Sequence, residues 1–579
     1  MTILLDLSLP RTIDAIVSRF ADGKSNDWQV EAWLFEDAPA RRRAEAMLAA
    51  EGVRAVFRSA YKPLVHCFLE AAPGFLEEAP EGEVTVRLPS HAAAPEGRFR
   101  LEAYPLAGML PGVALRFSAG DAALDYGVGA HSVFAPNRAR TDHLGQSVLS
   151  PCGWLRVRDA QGALVEDGPV ETEFEAVFAR IMAAVAGWNW PAAAPYFEVL
   201  AIDVAMPGIE RAIGVGDEVL STREALHEDL YFSLLEWFKQ RAGMAAADRR
   251  LQPGQIVPDI RASDGAVTVR VTLRAASAAD NVRPGPMDLE DADRPLTPGQ
   301  IGEELERLGG RAVAFRSFQG RDLPARVFLG AGPAVLIGAG QHANETSGVV
   351  GALRAARVLR DQGVTFAVMP CENPDGYALH HALRAHNPRH MHHAARYSAL
   401  GDDVEAREAA PWHEKAARNA LIAEIGAGLH INLHGYPAHE WTRPLTGYLP
   451  RGFELWTIPK GFFLIMRHHP GVGARVMGFL EALTAVLTRD TALAAFNARQ
   501  LAVWEAHAGA LACPVLNGIP CMVSESDRQR TAFQLITEYP DETIYGAAFQ
   551  LAQRTQMRAT VEAVRLFRAG ALGLPQPGV

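Results

Sequence analysis

Cysteine is scarce in this sequence, and what there is forms no pairing pattern. The five residues, Cys67, Cys152, Cys371, Cys513 and Cys521, are odd in number, scattered and free of any CxxC spacing. That speaks against a disulfide framework and fits free thiols in a reducing compartment. Long apolar runs are missing as well: no stretch approaches 18 apolar residues, so no transmembrane helix is predicted. Met1 to Asp6 has no basic leader, and its apolar run is too short for a signal peptide. Positive charge is in deficit, with a formal net charge of −11 and no long basic run, which argues against a nucleic-acid partner. A cytoplasmic protein with neither a membrane nor a nucleic-acid partner is expected, and nothing in the sequence sets an oligomeric state. The HExxH zinc-protease pattern is absent too. Four residues after the His of each His-Glu pair stand Tyr231, Ala417 and Arg443.

What is present is the composition of an ordinary globular protein, 49% hydrophobic and 21% charged over 579 residues. That length exceeds a single core and predicts roughly two to four domains. Residues 1–275 read as an N-terminal α+β region, divisible at about 160. Glu83–Leu88, Phe99–Tyr104 and Val113–Phe117 read as strands, residues 171–185 as a helix, and Phe197–Asp203 and Val267–Leu273 as strands. Ser221-Thr-Arg-Glu224 is a capping box opening a further helix. On it, His227-Glu228-Asp229 is read as a polar face rather than a metal site. Residues 276–298, with four prolines and few apolar side chains, read as a linker. Residues 299–579 then alternate strands and helices, which predicts a mixed-direction α/β sheet.

In that second half histidine is concentrated: 13 of the 19 lie between His342 and His469. The apolar run Pro333–Ile337 reads as a buried strand and residues 349–360 as a helix, so His342 and Glu345 fall on the loop between them. Open α/β sheets bind their ligands at such strand ends. A His and a Glu three apart can share one ion, and a catalytic zinc wants a third protein ligand plus an open position. Three further strand ends follow. Val364–Met369 leads into Asn373-Pro-Asp-Gly-Tyr377, read as a tight turn. Leu429 to Tyr436 contains His434, and Thr531 to Glu538 ends in a carboxylate, with Tyr545-Gly546 beyond.

His342-x-x-Glu345, Asn373-Pro-Asp-Gly-Tyr377, Leu433-His434-Gly-Tyr436 and Thr537-Glu538 with Tyr545-Gly546 together resemble the zinc carboxypeptidases of the carboxypeptidase A type, over roughly residues 297–570. The resemblance implies an α/β/α catalytic domain with a mixed sheet, and one zinc per chain held by His342, Glu345 and His434. It implies Glu538 as general base, taking a proton from water and passing it to the leaving amine. An arginine would stabilise the oxyanion; counting from the Asn373 turn, the candidates are Arg384 and Arg389, with Arg389 nearer the expected spacing. Asp403 resembles the carboxylate that orients the first zinc-binding His.

Two departures stand out. Where the family grips the substrate's terminal carboxylate with Asn-Arg, this chain has Glu405-Ala-Arg407, and the mobile Tyr some twenty residues before the catalytic Glu is missing. Arg384, Arg407, Arg443 and Tyr545 are the substrate-binding candidates, with Arg407 expected to read a free carboxylate. Glu405 either repels acidic substrates or pairs with Arg407. The His-rich run 386–393 is left open as a second metal site, a substrate wall or a packed loop. The leading expectation is a zinc metallocarboxypeptidase-like hydrolase acting on a peptide or small amide. The alternatives are an amidohydrolase of small N-acyl amino acids and a catalytically silent metal-binding scaffold. The N-terminal region is expected to restrict access to chain ends.

Overall fold

Val335, Leu336 and Ile337 leave their strand for opposite sides. Val335 and Ile337 enter one hydrophobic core and Leu336 another, the two-residue alternation of an extended chain. Phe366 and Val368 follow the first pair, while Ala367 and Met369 follow Leu336. A strand apolar on both faces belongs inside a sheet covered on both sides. That is its position in the computed structural model, which describes all residues except 71–81, 96, 111, 121–123, 130, 277–286, 449–459 and 574–579.

The sheet has nine strands in the order Arg311–Arg316, Asp322–Phe328, Val364–Met369, Ala331–Ala339, Leu429–Tyr436, Phe533–Pro540, Phe463–His468, Ile519–Glu525, Val515–Leu516. The four from Val364–Met369 to Phe533–Pro540 are mutually parallel, so their C-terminal ends share one edge. Helices Ser347–Asp361 and Ala547–Arg568 pack into one core. Helix Glu414–Ile425 covers the opposite core with Ala417, Leu421 and Ile422. This is the mixed α/β architecture read from the sequence. At Gly348 a Cβ would stand 2.9 Å from the Leu433 Cβ, so glycine there lets the helix after Glu345 close onto the His434 strand.

The chain divides into two compact units. One comprises Met1–Asp248, Ile256–Ala275 and Glu440–Thr457; the other comprises Arg249–Gln255, Ala276–His439 and Ile458–Val579. The first unit carries three four-stranded sheets, one ordered Thr2–Leu9, Val267–Arg274, Val199–Met206, Gln255–Ala262. Its helix Thr222–Arg241 is capped by Ser221, whose Oγ accepts from the Glu224 N–H.

Several local readings differ from the structure. Phe99–Tyr104 is not a strand: Arg98–Glu102 is helical, with a buried Arg98–Glu102 ion pair of 2.6 Å one turn apart. Six alternating residues are too few for their period to decide. His227, Glu228 and Asp229 are buried, not a solvated face, on a helix most of whose residues from Thr222 to Lys239 are buried. The linker is only partly one. Residues 277–286 lie outside the described residues, but Leu289, Ala292 and Leu296 are fully buried in the second unit's core. Residues 440–448 group with the first unit through distant partners, including Thr442 Oγ1 2.7 Å from the Tyr61 hydroxyl and Leu445 N–H donating to Asp229 at 2.7 Å. Sequence separations of hundreds of residues leave no trace in a local pattern.

Candidate metal centre

Asn373 does not make an isolated turn. Its Oδ1 accepts the Gly376 N–H at 3.0 Å, Pro374 occupies the first helical position, and Pro374–Arg384 is a helix, the start that Asn followed by Pro favours. Its backbone N–H donates to Gly340 O at 3.0 Å. The helix start thereby pins the loop that carries His342.

On that loop and the neighbouring strand three side chains converge. His342 Nδ1 lies 2.8 Å from Glu345 Oε1, His434 Nδ1 lies 2.8 Å from Glu345 Oε2, and the two Nδ1 atoms are 3.2 Å apart. All three residues are buried, and they form the one metal-capable group of three or more ligand side chains among the described residues. The donor set fits zinc: bonds of about 2.0–2.1 Å in a tetrahedron put ligand atoms about 3.3–3.4 Å apart. The ligand atoms of the three side chains lie within 4.8 Å of one another, close enough to share one cation.

The surroundings hold each group in place. The second ring nitrogen of His342 faces Asp403 Oδ2 at 3.6 Å, so the carboxylate predicted behind this histidine is there. Burial alone would raise the Asp403 pKa, but the His342 and Arg396 charges hold it well below the usual carboxylate range. Glu345 is likewise pushed up by burial and pulled further down by His342, Arg396 and His434; both stay anionic. Gly435 N–H donates to Glu345 Oε2 at 3.0 Å. Glu538 is the register partner of His434 on the adjacent parallel strand. Burial, and then the nearby Glu345 charge, raise its pKa well above the ordinary value, the direction that gives a carboxyl affinity for a proton.

The arginine at this cluster is Arg396. Its Nη1 donates to Glu345 Oε1 at 2.6 Å, whereas Arg389 is exposed. Counting forward from the Asn373 turn pointed to Arg384 and Arg389 and stopped short of this residue. The His-rich segment is packed: His390, His392 and His393 are buried, and no second metal-capable group occurs among the described residues.

The other substrate-binding candidates are engaged elsewhere. Arg407 is buried and makes a two-pronged ion pair with Asp402 at 2.7 and 2.8 Å, with Glu414 and Ser398 as further partners. Arg443 is 1% exposed and bound to Glu236 at 2.6 Å and Ser233 at 3.0 Å within the first unit. Arg384 lies over the Tyr545 ring at 5.5 Å, and the Tyr545 hydroxyl donates to Pro388 O at 2.6 Å. Among the described residues these two contact each other and the Pro388 carbonyl rather than the triad. Glu405 pairs with Arg418, not Arg407; Arg418 also binds Glu372 and, at 2.8 Å, Gln341 beside His342. Sequence reasoning missed Arg396, Arg418, Asn344 and the Asp541-Glu542 pair. Only the last carried a signal, two consecutive acids just beyond the Glu538 strand.

Fold and donor set together define a metal-capable α/β protein. Similar solved structures include a metallo-carboxypeptidase from Burkholderia cenocepacia (14% identity, 53% of this chain and 76% of that one, TM-score 0.30). A metallo-carboxypeptidase from Pseudomonas aeruginosa in complex with (2-guanidinoethylmercapto)succinic acid matches at 15% identity, over 54% and 73%, with a TM-score of 0.29. Carboxypeptidase A from Helicoverpa armigera matches at 10% identity, over 55% and 90%, with a TM-score of 0.32. No family model and no curated protein sequence matches the chain. At such scores the side chains of the site, not the likeness, carry the functional reading. Among the described residues no helix is long and apolar enough to cross a membrane.

Proposed function

We propose that the protein is a zinc-dependent hydrolase of peptide or amide bonds, with one zinc per chain held by His342, Glu345 and His434. The observation that supports this best is the convergence of both Nδ1 atoms and the Glu345 carboxylate on one point. When bound there, zinc supplies a Lewis acid that acidifies water and polarises a carbonyl. The Asp403 carboxylate, 3.6 Å from the far nitrogen of His342, favours a proton on that nitrogen and so leaves the other one to the metal. Glu538, beside His434 in register, accepts a proton from water at its carboxylate and returns it to the leaving nitrogen, a role worth roughly 10²–10⁴ in rate. Arg396 offers its guanidinium N–H groups to the developing oxyanion; one such donor removed costs about 10²–10³.

The leaving group is less tied to a terminal carboxylate than in a carboxypeptidase. Arg407, expected to grip that carboxylate, is saturated by Asp402 and Glu414, and Glu405 is neutralised by Arg418. The amidohydrolase of small N-acyl amino acids is kept as the second reading. A peptide library and its C-terminally amidated twin, assayed with and without a chelator, test both. Chelator-sensitive cleavage restored by zinc supports the hydrolase, and a preference for free ends selects the carboxypeptidase form. Cleavage unaffected by the chelator refutes a metal mechanism.

A further inference from the structure

Two consecutive acids follow the Glu538 strand, and both side chains turn toward the loop that carries Glu345. Asp541 Oδ2 accepts the Ser347 N–H at 2.7 Å, and Glu542 Oε2 accepts from Asn344 Nδ2 at 2.7 Å. Their own N–H groups both donate to Tyr436 O, at 3.0 and 3.3 Å. Residues 344 and 347 flank Glu345, so the pair brackets this ligand and ties its loop to the end of the His434 strand. At Gly435 a Cβ would stand 2.0 Å from Asp541 Oδ1, so the two strand ends meet here with no room for a side chain.

Glu542 has a second relationship. Its Oε1 lies 3.5 Å from Arg396 Nη1, the same nitrogen that donates to Glu345 Oε1 at 2.6 Å. One guanidinium nitrogen is therefore shared by two carboxylates, one of them a metal ligand by the reading above. The side chains of Glu345 and Glu542 are 2% and 0% exposed. A guanidinium in such surroundings keeps an anionic partner, since leaving it unpaired is costly. A carboxylate oxygen that gives its lone pair to a metal has less to give to an arginine. Asn344, held also by Met391 O at 2.8 Å, fixes the other Glu542 oxygen and leaves Oε1 toward Arg396.

We propose that Glu542 is a positioning residue that draws Arg396 off Glu345, freeing the ligand for the metal and keeping the guanidinium at the site. The idea rests on the metal reading of the triad. Arg396 rests on Glu345 with Glu542 as its alternative partner; without the Glu542 charge it would have no such alternative and would compete with the ion.

The test is zinc affinity of the full chain, measured by competition with a chromophoric chelator, for wild type, Glu542→Gln, Glu542→Asp, Arg396→Met and the Arg396→Met/Glu542→Gln double variant. Glu542→Gln keeps an acceptor for Asn344 and is expected to weaken zinc binding by roughly 10–100-fold, the range for partners behind metal ligands. Glu542→Asp, which keeps the charge, is expected to recover part of that loss. The double variant is expected to bind zinc like Arg396→Met alone, since the competitor is gone. Equal affinity in wild type and Glu542→Gln overturns the proposal. So does the same loss from Glu542→Gln in both backgrounds, which would mark Glu542 as a support of the loop only. A wild type that takes up no zinc overturns the metal reading itself, and is told apart because the other two outcomes require normal wild-type binding.

Discussion

His434 and Glu538 stand at the same register on neighbouring parallel strands. In-register residues of adjacent strands direct their side chains to the same face, so one strand end supplies a candidate ligand and the next a carboxylate with a raised proton affinity. Glu538→Gln is expected to keep the fold and the zinc and to lower kcat by roughly 10²–10⁴. Near-normal kcat on a confirmed substrate would remove Glu538 from the chemistry.

Arg396 and Arg389 are separated by the same kind of measurement. Arg396→Ala is expected to lower kcat/KM by about 10²–10³, whereas Arg389→Ala, on the surface, is expected to leave it unchanged. The reverse result would return the role to Arg389.

Arg407 is predicted to matter for stability rather than for substrate choice. Arg407→Ala strands the carboxylates of Asp402 and Glu414 in a buried site and is expected to cost about 3–5 kcal/mol by denaturant unfolding. A variant of wild-type stability that no longer distinguishes free from amidated chain ends would restore the carboxylate-gripping role.

Among motifs and folds, what was legible in the sequence was whatever depends on neighbours along the chain. The apolar runs at 333–337 and 364–369 and the alternating segment from Leu429 announced central strands, and residues just past the first and within the last supply the triad. Asp403 was found through its motif. Arg396 was not, since its place depends on how far the His-rich segment winds before it returns. Charge in a sequence says nothing of its partners: Arg407 pairs with Asp402 and Glu414, and Arg443 with Glu236. The Asn373 turn became a helix because the same residues cap one.

Glu36, in the first unit, gives a pH prediction independent of the metal. Its side chain is 2% exposed, and burial, opposed by the Arg11 hydrogen bond, pushes its carboxyl up to about 7 from an ordinary value of 4.5. The folded state therefore holds a proton that the unfolded state has released. That contribution is complete below pH 4.5 and is lost as pH rises through 7, on the order of 3 kcal/mol in all. The stability difference between wild type and Glu36→Gln should shrink or reverse against wild type over this interval. A difference that stays constant from pH 4 to 8 would contradict the assignment.

The most direct measurement is the zinc content of the purified chain and of His342→Ala and His434→Ala, by elemental analysis after dialysis against metal-free buffer. Three converging ligands predict about one zinc per wild-type chain and near-complete loss in both variants, with the fold retained by circular dichroism. Full zinc in either variant, or none in a folded wild type that has been offered zinc, would contradict a metal centre at His342, Glu345 and His434.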